Sequence, residues 1–169
     1  WNTLALEPAV VSWLDERGFE PRIAAKIIAL YCAQSVDAME TNPYCLLPFM
    51  SFEKIDAFAR TRLNMALEDP RRMVAATEAA LYKSIDQGHT ATPRATLISA
   101  LQSSFGEKAE QALDLTLSQA VAFTSGPYVQ AYAPALMERE LETWVREVQR
   151  PAETQQEMLL VTDGDSLNE

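Results

Sequence analysis

The chain has 169 residues, 48% of them hydrophobic, and sets 24 Asp and Glu against 14 Lys and Arg, a net charge of −10. That balance excludes a strong, non-specific nucleic-acid binder, which needs a positive field to displace counterions from phosphates. Five glycines and nine prolines exclude a fibrous or low-complexity protein, and no apolar run reaches the roughly 18–20 residues of a membrane span.

Helical periodicity dominates from the start. Leu6, Val10, Trp13 and Leu14 recur at helical spacing, and Gly18 supplies a stop. Pro21 opens a second helix whose apolar face is Ile23, Ile27, Leu30 and Tyr31. A short helix is expected from Ser35 to Glu40, ended by Asn42-Pro43, because the residue before proline avoids the helical region. Ile55, Phe58, Ala59 and Leu63 mark the next helix. Asp69 then caps another that has Pro70 in its first turn, carries Val74, Leu81 and Ile85, and stops at Gly88.

The character changes at that point. His89-Thr90-Ala91-Thr92 reads as a short strand, and Thr92-Pro93 as the cap and first turn of a helix bearing Leu97, Ile98 and Leu101, broken by Gly106. A helix over 107–120 follows. The stretch from Val121 to Tyr132 then reads as a hairpin about Ser125-Gly126. Helix, strand, helix, helix, hairpin is the order of a winged helix-turn-helix. After Pro134 comes a helix with an apolar stripe of Met137, Leu141, Trp144, Val145 and Val148, in which Glu142 can pair with Arg146 at i,i+4. Pro151 ends it, and 152–169 reads as an acidic tail or linker: the residues beyond Arg150 hold five of the acids and no Lys or Arg, half of the net charge.

Several chemistries are missing from the sequence. A nucleotide-binding P-loop needs Gly followed by Lys and Ser or Thr, yet none of Lys26, Lys54, Lys83 and Lys108 follows a glycine. The single histidine, His89, makes no two-His metal motif and reads as a structural residue at a strand start. Cys32 and Cys45, with no histidine nearby, read as two half-buried thiols in a reducing cytosol rather than as zinc ligands. The opening Trp1-Asn2-Thr3 has no basic segment leading into an apolar one, so no signal peptide is expected, and a cytoplasmic location is.

Two places point towards DNA. In Glu16-Arg17-Gly18-Phe19-Glu20-Pro21-Arg22 a tight glycine turn joins two helices, as in helix-hairpin-helix modules, where such a turn presents backbone N–H groups to a phosphate. Gly18 and Phe19 would form the bend. Arg17, Arg22 and Lys26 would add charge, and Glu20 would oppose it. The same residues also fit an αα-hairpin that only packs helices. The second place is the winged helix, whose second helix carries Glu107, Glu110 and Asp114 against Lys108. That composition reads phosphates and base edges poorly, and points to a structural or protein-binding module.

Gly18-Phe19-Glu20-Pro21-Arg22-Ile23-Ala24-Ala25-Lys26-Ile27, Thr41-Asn42-Pro43-Tyr44-Cys45-Leu46, Asp69-Pro70-Arg71-Arg72, Asp86-Gln87-Gly88-His89-Thr90 and Tyr132-Ala133-Pro134 occur in this order along the chain. Together they resemble the region before the motor of RecD-like (RecD/TraA type) superfamily 1 helicases, over about residues 5–150. The resemblance implies a mainly α fold: a tandem helix-hairpin-helix bundle over 1–68, a small winged-helix-like α+β module over 69–133, a long connecting helix over 134–150 and a tail over 151–169. It implies a non-catalytic accessory region of an ATP-dependent 5′–3′ DNA helicase. ATP and magnesium would belong to the motor of the same polypeptide, with no cofactor in this chain. The partner would be DNA, bound weakly and single-stranded or forked, with no membrane involved. It adds Ser51 and Lys54, at the second bend, to the DNA-facing set. The family's second hairpin is glycine-rich, whereas Pro48-Phe49-Met50-Ser51-Phe52 has no glycine and would present fewer open amides. The alternative is a protein–protein scaffolding module without DNA contact.

Overall fold

The computed structural model describes residues 8–149; Leu6, Arg150 and the acidic tail lie outside them. The first hairpin is α1 (Pro8–Glu16) and α2 (Pro21–Tyr31). A short 3-10 turn leads to α3 (Ser35–Thr41), which Asn42-Pro43 ends as expected, and a second 3-10 turn spans Pro43–Leu46. The chain bends over 47–51 into α4 (Phe52–Arg62), completing the second hairpin. α5 (Pro70–Asp86) starts at the predicted cap: the Asp69 carboxylate accepts from the Arg71 amide at 2.9 Å.

From α5 the chain forms the expected winged-helix-like module. The elements run β1 (Thr92–Pro93), α6 (Arg94–Phe105), α7 (Ala109–Ser118), β2 (Ala122–Ser125) and β3 (Tyr128–Ala131). The sheet is antiparallel in the order β1-β3-β2, with Thr92 opposite Val129 and Ala122 opposite Ala131. Three boundaries differ from expectation. β1 lies at 92–93 rather than 89–92, because the His89 amide is held by the Ser84 carbonyl at 3.0 Å and the chain is still turning out of α5 there. His89 is therefore an exposed turn residue with a local hydrogen bond. α7 is shorter than 107–120: Gly106–Lys108 is a 3-10 turn, and Ala120 ends the segment at φ +56. α8 (Tyr132–Val148) begins before Pro134, since a proline in the first turn removes an N–H that has no intrahelical partner anyway.

Two hydrophobic clusters fill the body of the chain. One gathers Leu14, Ile27, Met39, Leu46 and Ile55 from the hairpins. The other gathers Leu81, Leu97, Leu113 and Val129 from the winged-helix-like module. α5 serves both, giving Ala75 to the first and Met73 and Ala76 to the second. That is why six successive residues, Arg72 to Thr77, are all buried. The chain divides into two compact units between Ala131 and Tyr132, and α8 belongs to the second.

A buried charged cluster joins the hairpins to α5 and α6. Arg72 donates to both Asp56 oxygens at 2.7 and 3.1 Å and to the Leu67 carbonyl at 2.8 Å. The Tyr44 hydroxyl donates to Asp56 at 2.8 Å, and the Arg72 guanidinium lies over the Phe105 ring at 4.9 Å. Burial pushes the Asp56 carboxyl up, but the hydrogen bonds from Arg72 and Tyr44 and the Arg72 charge together outweigh it and hold it below the ordinary carboxylate range. Burial, then the bond to Asp56, pushes the Tyr44 phenol up.

Cys32 is exposed, not half-buried as the sequence suggested, whereas Cys45 is half-buried and its thiol is pushed up by burial. Cys32 also ends α2 at φ 51, ψ −131, and a 3-10 turn follows. Gly106 ends α6 at φ 55, ψ −125, and a 3-10 turn again follows. The chain thus makes the same corner twice, once with the residue suited to it and once without. The strain at such a position is about 1–3 kcal/mol, and glycine's extra unfolded-state entropy offsets about 0.4–1 kcal/mol of any relief.

Replacing Cys32 with glycine should therefore stabilise the protein by about 1 kcal/mol, while Gly106→Ala destabilises it; urea denaturation of both variants measures this. A Cys32→Gly variant no more stable than the parent contradicts the strained corner. The buried cluster gives a second expectation. Because the folded Asp56 carboxyl titrates below its unfolded range, its stabilisation is complete above that range and is lost as pH falls through the lower folded value. Arg72→Ala should cost about 3–5 kcal/mol at neutral pH, and Asp56→Asn should flatten the acid limb of urea midpoint against pH. An acid limb unchanged by Asp56→Asn would remove Asp56 from that role.

Candidate nucleic-acid interface

The first bend is built by its hydrogen bonds. Gly18, at φ +75, donates to the Asp15 carbonyl at 2.9 Å, and Phe19 donates to Leu14 at 3.1 Å. This pair of bonds is a Schellman ending, with glycine in the left-handed position and a hydrophobic residue after it. Phe19 is buried and meets the Phe58 ring edge-on at 5.1 Å, so α4 holds the first bend in place. The arrangement corrects the sequence reading. The amides of Arg17, Gly18 and Phe19 all point back into α1 and are not open to a ligand. At the start of α2, Ile23 and Ala24 both donate to the Glu20 carbonyl. Among the described residues, Glu20 and Arg22 are the positions at this bend whose amides have no backbone acceptor.

Arg17 also departs from its expected role. Its guanidinium lies 3.8 Å from the Trp13 ring centroid, donates to the Trp13 carbonyl at 3.2 Å and sits 3.8 Å from Glu16. It braces the end of α1. Trp13 is in turn half-buried and edge-on to Phe58 at 6.3 Å, a packing residue rather than a stacking platform. Arg22 and Lys26 stand one turn apart on α2, and both are exposed.

The second bend lies beside the first. The Phe49 and Met50 amides donate to the Leu46 carbonyl at 2.8 and 3.1 Å, and no residue in the bend has a positive φ. The absence of glycine is thereby explained: this turn needs none. Ser51 caps α4 in an extended conformation with its hydroxyl uncommitted to a cap bond. Lys54 is exposed in the first turn of α4.

The two bends open on one depression of about 460 Å³. Gly18, Phe19 and Glu20 line it from the first bend, and Phe49, Met50 and Ser51 from the second, with Ile23 and Lys54 between. The Lys26 ammonium sits 5.9 Å from the Phe49 ring centroid. Of the expected residues, Gly18, Phe19, Ser51 and Lys54 therefore share one site. Lys26 stands close by at Phe49, Arg22 is not among the lining residues, and Arg17 is turned to Trp13. Ile23 was missed, and Phe49 and Met50, although placed at the second bend, were left out of the DNA-facing set because a glycine-free apolar bend carries no sequence signal for a binding surface.

The winged-helix-like module has the opposite charge character. Asp114 pairs with Arg94 at 3.3 Å, Glu68 pairs with Lys108, and Glu110 and Asp114 border a groove of about 640 Å³ floored by Met73 and Leu115. The two basic residues near the groove are already in ion pairs with acids, so this face has no basic surplus to meet phosphates.

Paired helical hairpins sharing one lysine-edged depression define a helix-hairpin-helix module. The profile of the ATP-dependent RecD2 DNA helicase HHH domain matches residues 7–91, half of the chain, and the chain belongs to that family. The match spans both hairpins and α5 and stops just short of β1. No curated protein matches the chain.

Because Gly18 holds a left-handed backbone with open space where a side chain would begin, Gly18→Ala should cost about 1 kcal/mol through strain alone, and Gly18→Asn less, since asparagine tolerates that region. Equal losses for both variants in chemical denaturation would contradict a purely conformational role.

Proposed function

We propose that this chain is the DNA-binding accessory region of an ATP-dependent 5′–3′ helicase, and that it takes the backbone of single-stranded or forked DNA at the depression between its hairpins. The observation that carries this is the convergence of the two bends on one depression with Lys54 in its wall and Lys26 at Phe49. Lys54, Lys26 and Arg22 supply the charge for phosphates, and the Ser51 hydroxyl with the open amides at the starts of α2 and α4 supplies neutral donors. Phe49 and Met50 give an apolar surface against which an unpaired base can lie, worth about 1–3 kcal/mol for an aromatic contact. Family membership supports the reading, since the matched family is the HHH domain of a DNA helicase. ATP binding, magnesium and strand separation belong to the motor of the same polypeptide.

The binding is weak by construction. Three cations contacting three phosphates give a salt slope of about −2 on a single strand, and Glu20 stands in the wall of the site. Fluorescence anisotropy at low salt, with single-stranded and forked oligonucleotides, tests this. Lys26→Ala with Lys54→Ala should weaken binding to every sequence alike and reduce the salt slope by about 0.7 per lysine. Glu20→Gln should strengthen binding, and Arg17→Ala should leave it almost unchanged once folding is accounted for. A double lysine variant that binds as well as the parent removes this site. Failure of the parent to bind either oligonucleotide removes DNA contact altogether.

A further inference from the structure

The second bend borders two depressions, not one. Met50 and Ser51 line the depression shared with the first bend, and both also line another, of about 260 Å³, between the second bend and α5. Leu47 and Phe52 give the second depression an apolar wall, and Tyr82 reaches it from α5. All of its lining residues belong to the compact unit that ends at Ala131.

Tyr82 is the large aromatic of that wall left without a ring partner. Phe52 already stacks on Tyr44 at 5.8 Å, whereas among the described residues the Tyr82 ring enters no aromatic pair. Leu81 beside it is 2% exposed in the core, and Tyr82 is 42% exposed. A tyrosine ring in such a place offers a flat apolar face at little cost in conformational entropy.

Charge separates the two depressions. The first has Lys54 in its wall and Lys26 at Phe49 against Glu20, two cations to one acid. The second has Lys83 against Glu53 and Asp86, one cation to two acids, and none of these three is in an ion pair among the described residues. A phosphate is favoured in the first and opposed in the second. A nucleobase carries no charge at neutral pH, so the two acids do not repel it, and every base has a π-face that an aromatic ring can meet.

We infer that Tyr82 is a stacking platform for one unpaired base of a DNA strand whose backbone lies in the first depression. The phosphates keep to the lysine side of the second bend, and the base passes over Met50 and Ser51 to the Tyr82 side. A base inside a duplex is stacked and paired, so this second depression takes single-stranded DNA alone and takes it with little regard to sequence. The inference rests on the reading of the hairpins as a DNA site and adds to it a residue on α5, outside both bends.

The test is fluorescence anisotropy at low salt with the full chain and two labelled strands of equal length. One carries ordinary bases, and the other carries tetrahydrofuran abasic units in their place. Tyr82→Ala should weaken binding to the first strand by about five-fold or more, with the salt slope unchanged because no phosphate contact is lost, and should leave binding to the abasic strand as it was. Tyr82→Leu, which keeps apolar bulk without the flat ring, should lose as much, and Tyr82→Phe should bind as the parent does. Urea midpoints check that the variants fold. A Tyr82→Ala or Tyr82→Leu variant that binds the first strand as the parent does overturns the platform, and so does an equal loss on both strands, a reduced salt slope, or a loss shared by Tyr82→Phe. Binding that is sensitive to Lys26→Ala with Lys54→Ala but indifferent to Tyr82 removes the platform and leaves the hairpin site standing. A parent that binds neither strand removes both.

Discussion

The contact on which the body of the molecule depends is the buried Asp56–Arg72 pair with Tyr44. Its members come from the turn after Asn42-Pro43, from α4 and from α5, and the Arg72 guanidinium reaches Phe105 on α6. A buried ion pair is a poor source of net stability, since desolvation takes back much of the Coulomb gain. It is nevertheless demanding about geometry. Arg72 uses Nε and both terminal nitrogens on three different oxygens, so α5 has one rotation and one axial position in which none of these charges is stranded. That rotation turns Ala75 towards the hairpins and Met73 towards the winged-helix-like module. The position of α4 fixed by the same pair carries Phe58, against which Phe19 closes the first bend. The depression between the bends is thus a distant consequence of a charge pair that touches no ligand.

Much of this was legible because local chemistry is written in few residues. Asp69-Pro70 can only open a helix, Asn42-Pro43 can hardly continue one, and Gly18 with an apolar residue after it closes one. The hairpin β2–β3 was legible from Gly126 between two β-prone runs. What could not be read was how each polar group is used. The sequence offers the same Gly18-Phe19 whether their amides face a phosphate or the end of α1, and only the hydrogen bonds to Asp15 and Leu14 decide. Arg17 looks like a ligand residue until Trp13, one helical turn back, takes its guanidinium. β1 slipped because a two-residue strand is specified by its partner Val129, not by its own sequence. The second bend was doubted for want of glycine, a doubt that assumes a positive φ which this turn does not use. Arg71 and Arg72 look alike in sequence, yet one clamps the Asp69 cap and the Thr41 carbonyl on the surface and the other is buried.

A net charge of −10 conflicts with a DNA-handling role only if affinity is not separated from location. A free domain must find DNA through its long-range field, and an acidic one does so poorly. A domain joined to a motor already engaged on a strand meets that strand at an effective concentration set by the connection, up to the millimolar range for a short one. Under that condition the proposed site, with three cations and a few neutral donors, would be sufficient, and a stronger one would impede a strand that must keep moving. On the same proposal the acidic remainder of the surface would keep the module from spreading over phosphates away from the two bends. On the proposed function, the net charge of −10 and the lysines at one depression are parts of a single arrangement, in which attachment would supply proximity and the hairpins position.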